Sequence, residues 1–180
     1  MLYDYSNMLK RYGSAYQINL AVESGELFKV TRGLYSDERY PDTNAVVCAL
    51  YPKTVLTMDS AFYLHGLTDI APLKTHVATP RNSTRIRMSQ VKQYFMEQHL
   101  MNIGIIEQNN NGNTIRLFSK ERMLVELLRC SAVLPLDYYK EIVTSYRHIT
   151  DKLDIRKIES CVALYSNTDR LFQKLQMEVF

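Results

Sequence analysis

GELFKVTRGLY, residues 25–35, decides how the first part of this chain folds. Gly25 suits the left-handed conformation that ends a helix. Leu27, Phe28 and Val30 suit a strand, and Gly33 suits a bend that returns the chain through Leu34 and Tyr35. The stretch predicts a tight β-hairpin placed directly after a helix.

Upstream, two short helices are expected. Ser6 or Asn7 caps a first helix through Tyr12, with Met8, Leu9 and Tyr12 on one face. Gly13 breaks it. Ser14 then caps a second helix, SAYQINLAVES, with Ala15, Ile18 and Val22 at helical spacing and Ala21 beside them. Helix, glycine turn, helix and basic hairpin are the outline of a winged helix-turn-helix over residues 1–40. A complete one has a further helix in front, and Met1–Tyr5 is too short to supply it.

Downstream, Pro41 and Asp42 mark a boundary, and residues 41–180 read as a second domain. A helix over Thr43–Leu50 is ended by Pro52. TVLT is a short strand, Asp59 or Ser60 opens the helix SAFYLHG, and THVAT is a strand ended by Pro80. RNSTRIRMSQ reads as a loop or sheet rim, VKQYFM and NIGIIEQ as strands. NNNGN is a turn that returns the chain through TIRLFS. From Ser119 the pattern turns helical, with Met123, Leu124, Leu127 and Leu128 as an apolar stripe. Ser119 is a plain cap, since Arg122 stands where a capping box has Glu. Further helices open at Pro135, Asp154 and Asp169. The expected fold is α+β: a small N-terminal winged helix-turn-helix lacking its first helix, then a mixed α/β domain with a helical C-terminal end.

The 180 residues carry 46% hydrophobic side chains, enough for a core, and a formal net charge of +3. That charge fits a nucleic-acid partner and equally an ordinary basic protein. Cys48, Cys130 and Cys161 are far apart and form no CxxC pair, so buried thiols in a reducing cytoplasm are expected, with no zinc site. No apolar run approaches a membrane span, and no signal peptide opens the chain, so a cytoplasmic location is expected.

Enzyme motifs are missing. The glycines are scattered, and there is no GxSxG or HExxH. His65, His76, His99 and His148 lack metal-ligand spacing. His65 reads as a packed histidine whose partial charge suits a helix C-terminus. Thr68 and Asp69 faintly echo a nucleotidyltransferase loop, but THVATPR offers no second carboxylate for a metal. Glu121 and Glu126 read as solvated or capped helix surface. No catalytic residue, metal or cofactor is expected.

Two basic regions remain. Lys10, Arg11, Lys29 and Arg32 flank the second helix, the last two on the wing, where they reach phosphates. Base reading falls to Ser14, Tyr16, Gln17 and Asn19 in that helix. The helix itself has no Lys or Arg and carries Glu23, so a protein-contact module is the alternative. The second region, Ile70–Met96, holds Lys74, Arg81, Arg85, Arg87 and Lys92 and no acidic residue. It suits RNA or DNA backbone, the acidic surface of a partner protein, or a solvated sheet edge.

The chain resembles the AbiEi-type antitoxins of type IV, abortive-infection toxin–antitoxin systems. Three stretches carry the resemblance: GELFKVTRGLY; TVLTMDSAFYLHGLTDIAPLKTHVATPR, with Ser60, His65, Gly66, Leu67, Thr68, Pro72 and Pro80 in order; and FSKERMLVELLR, with Glu121, Arg122 and Leu124 in register. The resemblance implies a bacterial or phage-borne phage-defence protein of two domains. Its winged helix would bind inverted repeats at its own promoter as an autorepressor. Its C-terminal domain would neutralise a nucleotidyltransferase-type toxin, with no catalysis and no cofactor. The chain departs from relatives in lacking the first winged-domain helix and in having Leu20 and Glu23 where basic residues are common. A protein-binding antitoxin that does not read DNA and a stand-alone transcriptional regulator are the alternatives. The operator, the toxin's target and the oligomeric state are not encoded in any motif.

Overall fold

Asp4, not Ser6 or Asn7, begins the first helix. Its carboxylate accepts the backbone N–H of Asn7 at 2.7 Å, which leaves residues 2–4 extended as a strand that the sequence pattern did not reveal. In the computed structural model, which describes residues 1–180, the chain is α+β, with nine α-helices and two sheets. It forms two compact units, Met1–Lys53 with Gln108–Ile115, and Thr54–Glu107 with Arg116–Phe180.

The first unit contains β1 (Leu2–Asp4), α1 (Tyr5–Tyr12), α2 (Ala15–Glu23), β2 (Phe28–Thr31), β3 (Leu34–Ser36) and α3 (Thr43–Leu50). Gly13 turns the chain between α1 and α2 at φ 80°, and Ser14 Oγ accepts the N–H of Gln17 at 3.3 Å. The sheet order is β1-β3-β2, all antiparallel, with Tyr35 of β3 facing both Tyr3 and Lys29. Met8, Ile18, Ala21, Leu27 and Tyr35 bury one face of each element in a small core. Asp42 caps α3 through the N–H of Asn44 at 2.9 Å, and α3 packs on β1. The tip of a later hairpin belongs here too: Asn110 donates to Asp42, and the N–H of Leu2 donates to Asn113 Oδ1 at 2.7 Å. These contacts bring α3 and residues 108–115 into the unit, so it extends beyond residue 40. No local signal in NNNGN announces such bonds.

The second unit holds β4 (Val55–Leu56), α4 (Met58–Leu64), β5 (Thr75–Pro80), β6 (Val91–Met96), α5 (Gln98–Met101), and the bases of β7 (Ile105–Asn110) and β8 (Asn113–Phe118). Helices α6 (Lys120–Arg129), α7 (Leu136–Arg147), α8 (Ile155–Val162) and α9 (Thr168–Glu178) complete it. The strand order is β6-β5-β4-β8-β7. The β7–β8 turn uses Asn111 and Gly112 at φ 50° and 79°, the left-handed pair that a two-residue hairpin needs. β4 runs antiparallel to β5 and parallel to β8, and β5 runs parallel to β6, Thr75 facing Val91 and Pro80 facing Met96.

The parallel β5–β6 pair constrains the loop between them. Residues 81–90 must carry the chain from the end of β5 back to the start of β6, about 20 Å at ~3.3 Å per strand residue. Ten residues reach about 33–36 Å at full extension, so the return is made with slack. Hydrogen bonds lay the loop along the sheet, at both ends through Arg81 N–H to Met96 O and Thr75 N–H to Gln90 O, each 2.7 Å, and in the middle through Ile86 N–H to Gln93 Oε1 at 2.8 Å.

Helix α6 is central, packed against α4, α8 and α9. Met123, Leu124, Val125, Leu127 and Leu128 are all buried, so the helix is enclosed on nearly every side. Glu126 is buried as well, at 1% exposure, which overturns its reading as solvated surface. It lies between Arg122 and Arg129, at 2.7 and 2.6 Å. α4 starts at Met58, one residue before the expected Asp59, after the extended Thr57.

Candidate nucleic-acid interface

On the first unit, α2 buries Ile18 and Ala21 and turns Tyr16, Gln17, Asn19 and Leu20 to solvent. This follows from the 3.6-residue period: the core takes 18 and 21, and 16, 17, 19 and 20 fall on the remaining arc. Tyr16 is 69% exposed. Ser14 is half-buried as the cap. Lys29 and Arg32 are exposed on the β2–β3 hairpin, whose bend at Gly33 has φ 81° and whose register shifts between Lys29 and Thr31. Lys10 and Arg11 end α1. Arg11 lies 5.3 Å from the Tyr12 ring and 6.0 Å from that of Tyr3, a cation–π contact that holds it on the protein. Tyr12 in turn donates to Glu26 at 2.9 Å.

On the second unit, the five cations predicted as a patch divide. Lys74, Arg85, Arg87 and Lys92 line one open groove of about 640 Å³ with Ile86, Gln93 and Phe95. Arg81 stands apart, paired with Glu97. The groove is built by the loop laid along the sheet. Val91, Gln93 and Phe95 project from one face of β6, and Gln93 holds the loop down. Its Oε1 accepts the N–H of Ile86 at 2.8 Å, and its Nε2 donates to Thr79 Oγ1 at 2.8 Å and Thr84 O at 3.3 Å. Ile86 is buried while Arg85 and Arg87 on either side are exposed. The alternation in Arg-Ile-Arg thus sends both guanidinia outward.

A polar cluster on the opposite face of the same strands was not visible in the sequence. Met58 opens α4 at φ 45°, a backbone conformation rare for a side chain with a β-carbon, and sets Asp59 and Ser60 beside β5. The N–H of His76 donates to Ser60 Oγ at 2.9 Å, and His76 Nε2 lies 3.6 Å from Asp59 Oδ2. Tyr94 OH meets His76 Nδ1 at 3.3 Å, and Lys92 Nζ lies 5.3 Å from the Tyr94 ring. Burial lowers the His76 pKa, against the opposing pull of Asp59. No spacing rule joins residues 59, 76, 92 and 94; parallel pairing of β5 and β6 does.

His65 caps α4, and its Nε2–H donates to Phe118 O at 2.7 Å. Burial pushes its pKa down, so a buried hydrogen bond rather than charge on the helix dipole holds it. Thr68 donates to Glu141 at 2.7 Å. No group of three His, Cys, Asp or Glu side chains is placed to hold a metal ion. No disulfide joins Cys48, Cys130 and Cys161; the last is buried and the others half-buried. No helix is long and apolar enough to cross a membrane.

Neither a protein-family model nor a curated protein matches the chain.

Proposed function

We propose that this chain is an AbiEi-type antitoxin that also represses its own promoter. The observation that carries the reading is the solvent-facing arc of α2, with Tyr16, Gln17 and Asn19 in one unit with the cationic hairpin bearing Lys29 and Arg32. A helix after a tight turn, followed by a basic hairpin, has the shape to enter a major groove while the hairpin holds phosphates. The three-stretch resemblance described above supplies the antitoxin part: a nucleotidyltransferase-type toxin as partner of the second domain, and inverted repeats upstream of the gene as operator.

The test is retention of the upstream DNA in a gel shift at moderate salt, with wild type and with Lys29→Glu/Arg32→Glu. Loss of retention in the double variant supports the reading, because two phosphate contacts become repulsions. Equal retention by both proteins overturns the wing's role. A second reading, an antitoxin that binds protein only, is favoured by one feature: α2 offers Tyr16 and Leu20, 69% and 39% exposed, and no cation. Under it, wild type retains no DNA yet still neutralises the toxin.

A further inference from the structure

We infer that the groove between the 81–90 loop and β6 binds a single strand of nucleic acid, gripping phosphates with Lys74, Arg85 and Arg87 and stacking a base on Phe95. The inference concerns the second unit only and does not rest on the antitoxin reading.

Three observations lead to it. Lys74, Arg85 and Arg87 line one concavity of about 640 Å³, and no carboxylate is among its lining residues; Lys92 lines its edge with its ammonium turned to Tyr94. A mere solvated edge would not need its cations gathered around a hollow, and Arg81, the nearby cation that has a carboxylate partner, is not among the lining residues. Second, the hollow is preorganised. Gln93 uses both ends of its amide to fix the loop, and Ile86 plugs it to the sheet, so Arg85 and Arg87 are presented from a held backbone. Binding then costs less ordering of the loop. Third, Phe95 is 48% exposed and lines the same groove. An exposed ring beside guanidinium groups is the arrangement that takes an unstacked base, and stacking tolerates any base.

The ring also selects among partners. Duplex DNA has its base faces covered, so Phe95 would contribute nothing to holding it. An acidic peptide would use the three cations and leave the flat face of Phe95 without a matching ring. A single strand uses both, which is why it is the ligand proposed.

The experiment is fluorescence anisotropy of labelled oligouridylate and oligothymidylate, each of about 12 nucleotides, a length that single-strand grooves cover. The full chain is titrated at several salt concentrations, with a duplex and oligoglutamate as competitors. Wild type is expected to bind at least one of the two strands. Arg85→Gln/Arg87→Gln should lower the salt slope by about 1.4, from ~0.7 per lost phosphate contact on a single strand. Phe95→Ala should weaken binding about 5-fold or more, with Phe95→Trp restoring it. Phe95 is half exposed, so its loss leaves the fold in place, which circular dichroism checks. The Phe95→Ala loss should be the same in a Lys29→Glu/Arg32→Glu background, which places it in the groove and not on the hairpin. The inference is overturned if neither strand binds at low salt, if Phe95→Ala binds as wild type, or if the Phe95→Ala loss vanishes in the wing-variant background. It is also overturned if the duplex or oligoglutamate competes as well as the strand itself; the latter result would make the groove a contact for an acidic protein.

Discussion

Glu126 forms an ion pair with Arg122, one helical turn earlier, at 2.7 Å, and both side chains are shut off from water. The pair is completed by Arg129 Nη1 on the other carboxylate oxygen at 2.6 Å and by Tyr165, which accepts from Arg122 Nη2 at 2.7 Å and donates to Glu126. The Phe118 and Tyr165 rings flank the Arg122 guanidinium at 5.1 and 5.4 Å. This is an ionic knot inside the most deeply buried helix of the second unit.

Removing one half of that knot leaves a buried charge. Glu126→Leu is expected to destabilise the chain by about 3 kcal/mol or more, because Arg122 has no route to water. Arg122→Met/Glu126→Leu should cost clearly less than the sum of the two single changes. Urea unfolding of the four proteins checks this; additive effects would show that the pair is not coupled.

Gly104 is held against the same arginine. Its φ is 76°, and an added β-carbon would lie 2.6 Å from Arg122 Cβ. Its carbonyl also accepts the N–H of Ser119, the residue that caps α6. Gly104→Ala should therefore cost about 3 kcal/mol or more, since strain and clash add. Gly33→Ala, at φ 81° with open space around it, should cost only the backbone penalty of about 1–2 kcal/mol. Thermal melts of the two variants compare them directly.

His65 makes stability fall in mild acid. Burial lowers its folded pKa below the ordinary histidine value, so the unfolded chain takes up a proton that the native imidazole refuses. Stability is full above the ordinary value and declines as pH drops from there through the folded value. His76, also lowered by burial, adds to the same slope. His65→Gln should flatten the decline between neutral pH and pH 5, measured by urea midpoints. An unchanged slope would remove His65 from the account.

Tyr16 separates fold from function. At 69% exposure on α2 it supports no core. Tyr16→Ala should change stability by less than about 0.5 kcal/mol and yet weaken operator retention, if the proposed reading surface is right. A melt and a gel shift on the same preparation give both answers.

Much of the chain could be read locally. Gly13, Gly33 and the Asn111–Gly112 turn carry their conformations in their chemistry, and Ser14, Asp42 and Ser119 cap the helices they precede. The α+β class and most of the order of helices and strands follow from such signals; β1 and the short α5 do not. What they reach is set within a few residues, because caps, turns and helical stripes close bonds within about four positions.

Tertiary structure decided the rest. That β5 and β6 run parallel, that Gln93 pins their loop along the sheet, and that Arg85 and Arg87 meet Lys74 and Phe95 around one hollow while Arg81 turns to Glu97, all depend on pairing between distant segments. So does the burial of Glu126, whose neighbour Tyr165 lies 39 residues away. A charged residue reads as surface in a local pattern. Only packing against another helix turns it into a buried ion, because its cost and its compensation both come from groups the local sequence does not contain.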